Sequence, residues 1–241
     1  MTLRRAFLRD SELDRSTYPE MRDLAVAFEQ NPSPPETRSY PGVPSCELVR
    51  CRPRPLAGLE KSLVSRRCRR QLGLEVPSKR DLSRMLQFAH GVCGGEGRGP
   101  VPSAGGLQSV ELYVAALEPS WLPVGVHHYD RAGHRLSRIL DAAARPRWRE
   151  LVPSMDLVDG GALLWIVSGD GARIGSKYGD RGGRFLLLEA GHLMQNLCLL
   201  SESLGFSTVP LGAALEPEIA RELSLPAGDA ILYVALCGTS K

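Results

Sequence analysis

Three short stretches of this chain carry residue types that could do chemistry. In "KSLVSRRCRR", Lys61, Arg66, Arg67, Arg69 and Arg70 fall within ten positions, beside apolar Leu63 and Val64. Guanidinium groups bind phosphate oxygens through paired hydrogen bonds, and one phosphomonoester would relieve their mutual repulsion, so the run reads as an anion site or as a solvated basic helix face. In "GGEGRGPVPSAGGLQ", Pro102, Ser103, Ala104, Gly105 and Gly106 stand directly ahead of an apolar run. Such small side chains let backbone amides approach a flat ligand, and they equally suit a mobile surface loop; the stretch fits neither a P-loop nor a dinucleotide fingerprint. In "KYGDRGGRF", Lys177 adjoins Tyr178 ahead of Gly179, Gly182 and Gly183. A phenol, with an ordinary pKa of about 10, serves as a base near neutrality only beside a cation, which the lysine would supply. Neighbouring residues of a strand point apart, so their cooperation needs the irregular backbone that the glycines permit; a half-exposed loop pair without chemistry is the plain alternative.

The elements that must position these stretches follow from periodicity. Met21, Leu24, Ala25 and Phe28 of "YPEMRDLAVAFEQN" recur at helical spacing. Seven of the eighteen prolines then fall between Asn31 and Pro55, which predicts an extended, irregular arm. The chain divides on this ground into residues 1–58, a helix and proline-rich arm, and residues 59–241, a single globular domain. Helices are predicted around "GLEKSLVSRRC" and "PSKRDLSRMLQFAHGV", the second opened by a Ser78–Asp81 capping box and burying Leu82, Met85, Leu86 and Ala89. Apolar runs at 109–117, 161–169 and 230–236 have strand length, and "GVHHYDRAGHRLSRI" reads as a hairpin turning at Asp130 to Gly133. Leu186, Ala190, Leu193, Leu197, Leu200 and Leu204 mark a long buried helix, with Gly205 as its C-terminal stop. "LGFSTVPLGA" reads as a helix-to-strand connection turning through Pro210, Leu211 and Gly212. Strands mixed with helices outside strict alternation make an α+β fold with a mainly antiparallel or mixed sheet.

Composition excludes several functions. With 43% hydrophobic residues in 241, the chain can bury a substantial core. A net charge of +3 is too mild for phosphate neutralisation along nucleic acid. The six cysteines form no C-x-x-C pair, so neither zinc nor a disulfide framework is expected, Cys93, Cys198 and Cys237 read as buried small hydrophobes, and a cytoplasmic location is the simplest. "MTLRRAFLRD" lacks a following apolar segment and no run of eighteen apolar residues exists, so neither secretion nor membrane spanning is expected. His127, His128 and His134 suggest metal at a glance, but adjacent strand residues face opposite ways, and no metal is expected.

Taken in order, "SRRCRR", "PSAGGLQSVELYV", "GVHHYD", "KYGDRGGRFLLLEAGHLMQNL" and "VPLG" resemble the FMN-dependent nitroreductase superfamily over roughly residues 60 to 240, and within it the SagB-type or McbC-like azoline dehydrogenases. The resemblance implies an α/β sandwich forming an intertwined homodimer, with FMN at the subunit interface. It implies that Arg66, Arg67, Cys68 and Arg70 hold the FMN phosphate and pyrimidine side, that Pro102, Ser103, Ala104 and Gly105 meet the ring from the partner subunit, and that Pro210, Leu211 and Gly212 lie near N5. Lys177 and Tyr178 match the family's catalytic pair, whereas Arg181 and Arg184 face flavin phosphate, substrate or Glu189. His192, Gln195 and Asn196 read as satisfied core or dimer-interface groups.

Cys68 stands where serine is common, and Gln108-Ser109 replaces an aromatic-proline pair at the border of the flavin cleft, which implies an altered substrate pocket. The implied activity is FMN-dependent oxidation of a thiazoline or oxazoline in a peptide or carrier-bound intermediate, with O2 reoxidising the flavin and a cyclodehydratase as possible partner. The alternatives are an NAD(P)H-dependent reductase of a small electrophile and a non-catalytic subunit that keeps the fold for assembly.

Overall fold

The computed structural model describes residues 18–30, 38–52, 58–93, 97–141 and 145–240. The N-terminal decapeptide, much of the proline-rich stretch and part of "GGEGRG" therefore lie outside the described residues.

Strand alternation explains how the chain is layered. The elements are α1 (Tyr18–Gln30), β1 (Ser45–Glu47), α2 (Leu59–Ser65), α3 (Lys79–His90), β2 (Val110–Ala116), β3 (Gly125–Asp130), β4 (Arg135–Asp141), α4 (Arg145–Leu151), β5 (Leu163–Gly169), α5 (Gly171–Tyr178), α6 (Gly182–Ser203), β6 (Phe206–Leu211), α7 (Glu216–Glu222) and β7 (Ala230–Thr239). The strands form one seven-stranded sheet in the order β1-β4-β3-β2-β5-β7-β6, antiparallel at every step. Because successive strand residues face opposite ways, Leu112, Val114 and Ala116 of β2 join one core with Trp165 and Val167 of β5. Tyr113 and Ala115 join the other with Leu164 and Ile166. The first core is closed by α3 and α6, through Leu82, Met85, Leu86, Leu193 and Leu197. The second is closed by α4 and α7, through Trp148, Leu151, Ile219 and Leu223. A sheet covered on both faces reads as continuous apolar runs, which is why β2 and β5 are buried at every position.

Local signals set the element ends. Ser78 Oγ accepts the Asp81 amide at 3.1 Å and caps α3. Asp130 Oδ1 accepts the amides of Ala132 and Gly133, which closes the β3–β4 hairpin. Gly205, at φ +82°, turns the chain out of α6 into β6. The arm-side segment Ser45–Glu47 pairs with β4 and adds an edge strand to the sheet. Pro210 and Leu211 run inside β6, opposite Ala235 and Val234, rather than forming the predicted turn. Proline is tolerated there because β6 is an edge strand that lacks one row of ladder partners. Cys198 and Cys237 are buried, but Cys93 is exposed, because the chain leaves α3 two residues earlier at Gly91. No helix among the described residues is long and apolar enough to cross a membrane.

Candidate active site

Lys177 and Tyr178 occupy the last turn of α5, not an irregular strand. Asp170 starts this helix by accepting the Arg173 amide at 2.9 Å. Gly179, at φ +53°, ends it. Gly182 opens α6 instead of loosening the pair, and it must be glycine because a Cβ there would meet Ile174 Cγ2 at 2.9 Å. Lys177 is buried despite its charge, 9% exposed, and Tyr178 stacks edge-on against Phe185 with ring centroids 4.9 Å apart.

The two heads converge on the glycine-rich loop. Ala104–Gly106 form a single 3-10 turn with Gly105 at φ +59°. A Cβ placed on Gly105 would lie 2.6 Å from Tyr178 Oη and 3.2 Å from Lys177 Nζ. The ammonium and the hydroxyl are therefore within 5.8 Å of each other, the sum of these two distances. A stretch 72 residues upstream is thus held against the pair within the same chain.

The loop is fixed from below. Ser103 Oγ accepts the Gln108 amide at 2.8 Å and its hydroxyl donates to Glu189 of α6, which also accepts the Val110 amide at 3.3 Å. Burial pushes the Glu189 carboxyl upward, against hydrogen bonds from Ser103 and from the amides of Val110 and Ser109. Gln108 is 5% exposed and adopts φ +53°, an uncommon conformation for a side chain with a Cβ. Pro102 and Gly105 are exposed, and Ser103 and Ala104 are half-buried.

Helix α1, which the site reading did not include, covers the lysine. Glu29 Oε1 lies 3.3 Å from Lys177 Nζ, the Phe28 ring lies 5.2 Å below the ammonium, and Leu24 Cδ1 approaches Gly179. Only the amphipathic spacing of Phe28 hinted at this; the partner element lies more than a hundred residues away. Arg181 stacks its guanidinium over Phe185, 5.4 Å from the ring centre.

The arginine segment stands elsewhere. Arg66 to Arg70 follow α2 as extended chain, not as a helix face. Arg69 is committed to a forked ion pair with Glu202, at 2.7 and 3.2 Å. Arg66 points a guanidinium N–H at Cys68 Sγ, Arg67 donates to the carbonyls of Val64 and Arg66, and Arg70 donates to Leu157 O. These acceptors are all neutral and the arginine side chains are half-buried or exposed, a donor set that suits a phosphate dianion. Ser207 Oγ, at the start of β6, donates to Arg67 O. At the far end of that strand, about 13 Å on, Leu211 and Gly212 border a cavity of about 190 Å³ with Ile231, Leu232 and Tyr233. A Cβ on Gly212 would meet nothing within 4 Å, so this wall is open to a flat ligand.

Within one chain, the arginines and the Lys177–Tyr178 pair do not meet. Tyr178 touches Phe185 near the start of α6, and Arg69 holds Glu202 near its end. These two contact points are about 25 Å apart along the helix.

The three histidines are structural. His127 Nε2 lies 2.9 Å from Pro123 O, His128 Nε2 lies 2.9 Å from Glu111 Oε2, and His134 Nδ1 lies 2.8 Å from the Tyr129 hydroxyl. Asn196 donates to Ala89 O, whereas His192 and Gln195 are exposed on the outer face of α6.

Residues 63–239 match the nitroreductase family. The chain belongs to that family. A curated Methanocaldococcus jannaschii protein named as a nitroreductase is 32% identical over 167 residues, 69% of this chain and 84% of that protein. Among solved structures, an Anabaena variabilis protein described as a nitroreductase superposes with a TM-score of 0.72 at 22% identity, over 83% of this chain; the match spans 42% of the Anabaena chain. A chain of the Escherichia coli microcin synthetase McbBCD complex superposes with a TM-score of 0.62 at 19% identity, over 90% of this chain and 82% of that one. These structural likenesses establish the α+β nitroreductase fold. Family membership makes the chain a flavin oxidoreductase with FMN as its cofactor.

Proposed function

We propose that this nitroreductase-family protein is a dehydrogenase that oxidises a thiazoline or oxazoline ring, in a peptide or related intermediate, to the aromatic azole. The observation that carries the reading is the convergence of Lys177 Nζ and Tyr178 Oη on Gly105, in the loop assigned to the flavin ring. Aromatisation removes a proton from the acidic α-carbon of the azoline and a hydride from the neighbouring carbon. It therefore needs a base held close to the hydride acceptor.

In this reading Tyr178, as phenolate, takes the α-proton, and the Lys177 ammonium stabilises the phenolate before that transfer. Phe185 fixes the phenol ring at its edge, and burial of Lys177 under α1 keeps water from its ammonium. Arg66, Arg67 and Arg70, whose direct hydrogen-bond acceptors among the described residues are neutral, would hold the phosphate of FMN through their guanidinium donors, with Cys68 beside them. Pro102, Ser103, Ala104, Gly105 and Gln108 would border the ring, as would Pro210, Leu211 and Gly212. When bound, FMN supplies the hydride acceptor.

The separation along α6 supports a homodimer. A ribityl phosphate tail is too short to join the arginines to the Lys177–Tyr178 pair of one chain, so the pair would serve the flavin held by a second copy. The exposed Leu187 and Leu188 on the outer face of α6, 48% and 54% accessible, offer an apolar surface for that copy. The superposition on a chain of a synthetase complex described with truncated pro-MccB17 bound supports a peptide substrate and a partner within a synthetase complex; a cyclodehydratase is the partner proposed.

The test is a visible absorbance spectrum of the purified protein, followed by mass spectrometry of a thiazoline-bearing peptide incubated with it. Yellow protein and loss of two hydrogens per ring are expected. Bleaching of the flavin by NAD(P)H without peptide would replace the reading with a reductase of small electrophiles. A protein that stays colourless with added FMN would leave only a structural role.

A further inference from the structure

We propose that Arg173 is a positioning residue that presses the 104–108 loop onto the Lys177–Tyr178 pair, and that catalytic geometry depends on its forked guanidinium rather than on its charge. The inference rests on the reading of that pair as the proton-abstracting site.

Arg173 and Lys177 are four residues apart on α5 and so share one face of the helix. From that face the Arg173 guanidinium makes three separate contacts. Nη1 donates to the carbonyl of Gln108 at 2.6 Å, and Nη2 lies 3.0 Å from Glu111 Oε1 and 3.0 Å from Asp170 Oδ2. The side chain is only 14% exposed. Its anionic partners are themselves engaged: His128 Nε2 is 2.9 Å from Glu111 Oε2, and the Arg38 guanidinium approaches Asp170 at 3.8 Å. The two carboxylates pin the guanidinium, and the guanidinium pins the loop.

The loop needs that restraint. Gly105, Gly106 and Gln108 all have positive φ, at +59°, +70° and +53°. Such a backbone does not hold itself, because its residues, Gln108 above all, have lower-energy alternatives. Both main-chain groups of Gln108 are clamped, its N–H by Ser103 Oγ and its carbonyl by Arg173. Three residues before Gln108 stands Gly105, where a Cβ would lie 2.6 Å from Tyr178 Oη and 3.2 Å from Lys177 Nζ. Arg173 thus ties the loop to the same helix that carries the pair, and fixes one against the other. A lysine at 173 could keep one ion pair but cannot reach Gln108 O and two carboxylates from a single nitrogen in the same geometry.

The experiment compares wild type with Arg173→Lys and Arg173→Gln. It reads FMN dissociation constant, kcat and KM on a thiazoline-bearing peptide, and hydrogen exchange of the 104–109 amides in the FMN-loaded protein. Expected for Arg173→Lys are FMN affinity within about twofold of wild type, unchanged KM, and kcat lowered about 10- to 100-fold, the effect of displacing a reacting group by about 1 Å. Exchange of the 104–109 amides should quicken by about tenfold, for a loop opening that costs about 1.4 kcal/mol less. Loss of activity only in proportion to lost flavin, or wild-type exchange in that loop, would overturn the proposal. If wild type itself fails on azolines, the exchange result alone decides: quickened exchange upholds the positioning role and sinks only the azoline reading, whereas unchanged exchange sinks the positioning role.

Discussion

Gly105 and Tyr178 are in contact across 73 residues of sequence, with the phenolic oxygen 2.6 Å from the point where a Cβ on the glycine would sit. Gly105→Ala should therefore displace the phenol as well as strain a backbone at φ +59°. Gly106→Ala introduces similar strain, at φ +70°, but its Cβ would meet nothing within 4 Å. Each alanine should cost about 1–2 kcal/mol of stability, which is about 2–8 °C in Tm for a chain of this size. Only Gly105→Ala should also lower kcat, by about 10- to 100-fold. Thermal melts and steady-state rates on the two variants check this, and equal kcat in both would detach the loop from the chemistry.

The pair itself separates cofactor binding from turnover. Neither Lys177 nor Tyr178 lies near the arginine segment, so Lys177→Ala and Tyr178→Phe should keep full flavin content by absorbance. Each should lose turnover by about 10²- to 10⁴-fold, the usual share of a positioned proton acceptor. Tyr178→Phe keeps the ring contact with Phe185, so its Tm should stay near that of wild type. Normal turnover in both variants would remove the assignment.

Much of this fold was legible because its signals are local. Ser78 and Asp81 are three residues apart and cap one helix; Asp130 closes a hairpin through its own next amides; the leucines of α6 repeat at helical spacing. The site was legible as a set of stretches, but not as a geometry. Lys177 and Tyr178 sit on a helix because Asp170 caps it seven residues upstream, and their convergence depends on a loop brought in by the β2–β5 pairing. The cover of Phe28 and Glu29 over Lys177 is likewise a long-range contact that periodicity cannot register. Pro210 misled for a related reason. A proline reads as a turn unless the strand is known to lie at a sheet edge, and edge position belongs to topology.

Two neighbouring arginines should behave differently. Arg69 is spent on Glu202, and that carboxylate is held below its ordinary range chiefly by the hydrogen bond from Arg69. Arg69→Ala should thus destabilise the fold modestly, by about 1 kcal/mol, since both groups are partly solvated. Arg66→Ala should leave Tm of the apoprotein unchanged and weaken FMN binding by about 10- to 100-fold, the loss of one charge-assisted contact of about 1.5–3 kcal/mol. Flavin titration followed by fluorescence quenching distinguishes the two.

Stability should fall on mild acidification. Complete burial, with the Arg131 guanidinium adding to it, holds His90 down at about 3, and burial also lowers His127 and His134. A histidine whose folded value is depressed contributes stability that is present above its unfolded value of about 6.5 and is lost as pH falls below it, at up to about 1.4 kcal/mol per pH unit. Burial raises the Glu189 carboxyl, which works in the opposite sense, so a single-site comparison is needed. His90→Gln can still donate to Val110 O, the partner of His90 Nε2. Between pH 7.5 and 5.5 its urea-unfolding free energy should drop by about 1 kcal/mol less than that of wild type. Parallel pH profiles would mean that the ring already finds a charged, solvated state in the fold.

The outer face of α6 tests the assembly. Leu187 and Leu188 are about half exposed, next to accessible Gly191, His192 and Gln195 one turn on, whereas Leu186, Ala190 and Leu193 of the same helix are buried. A helix with apolar groups on both faces is expected where a second surface covers the outer one. Leu188→Glu places a charge on that face and touches neither core, so the monomer should remain folded. Sedimentation should then show the proposed dimer for wild type and a monomer for the variant, and flavin content and turnover should fall together, because the arginines of one chain and the Lys177–Tyr178 pair of the other would no longer share a site. A variant that stays dimeric, or a monomer that keeps full turnover, would mean that one chain builds the whole site despite the length of α6 between its two halves.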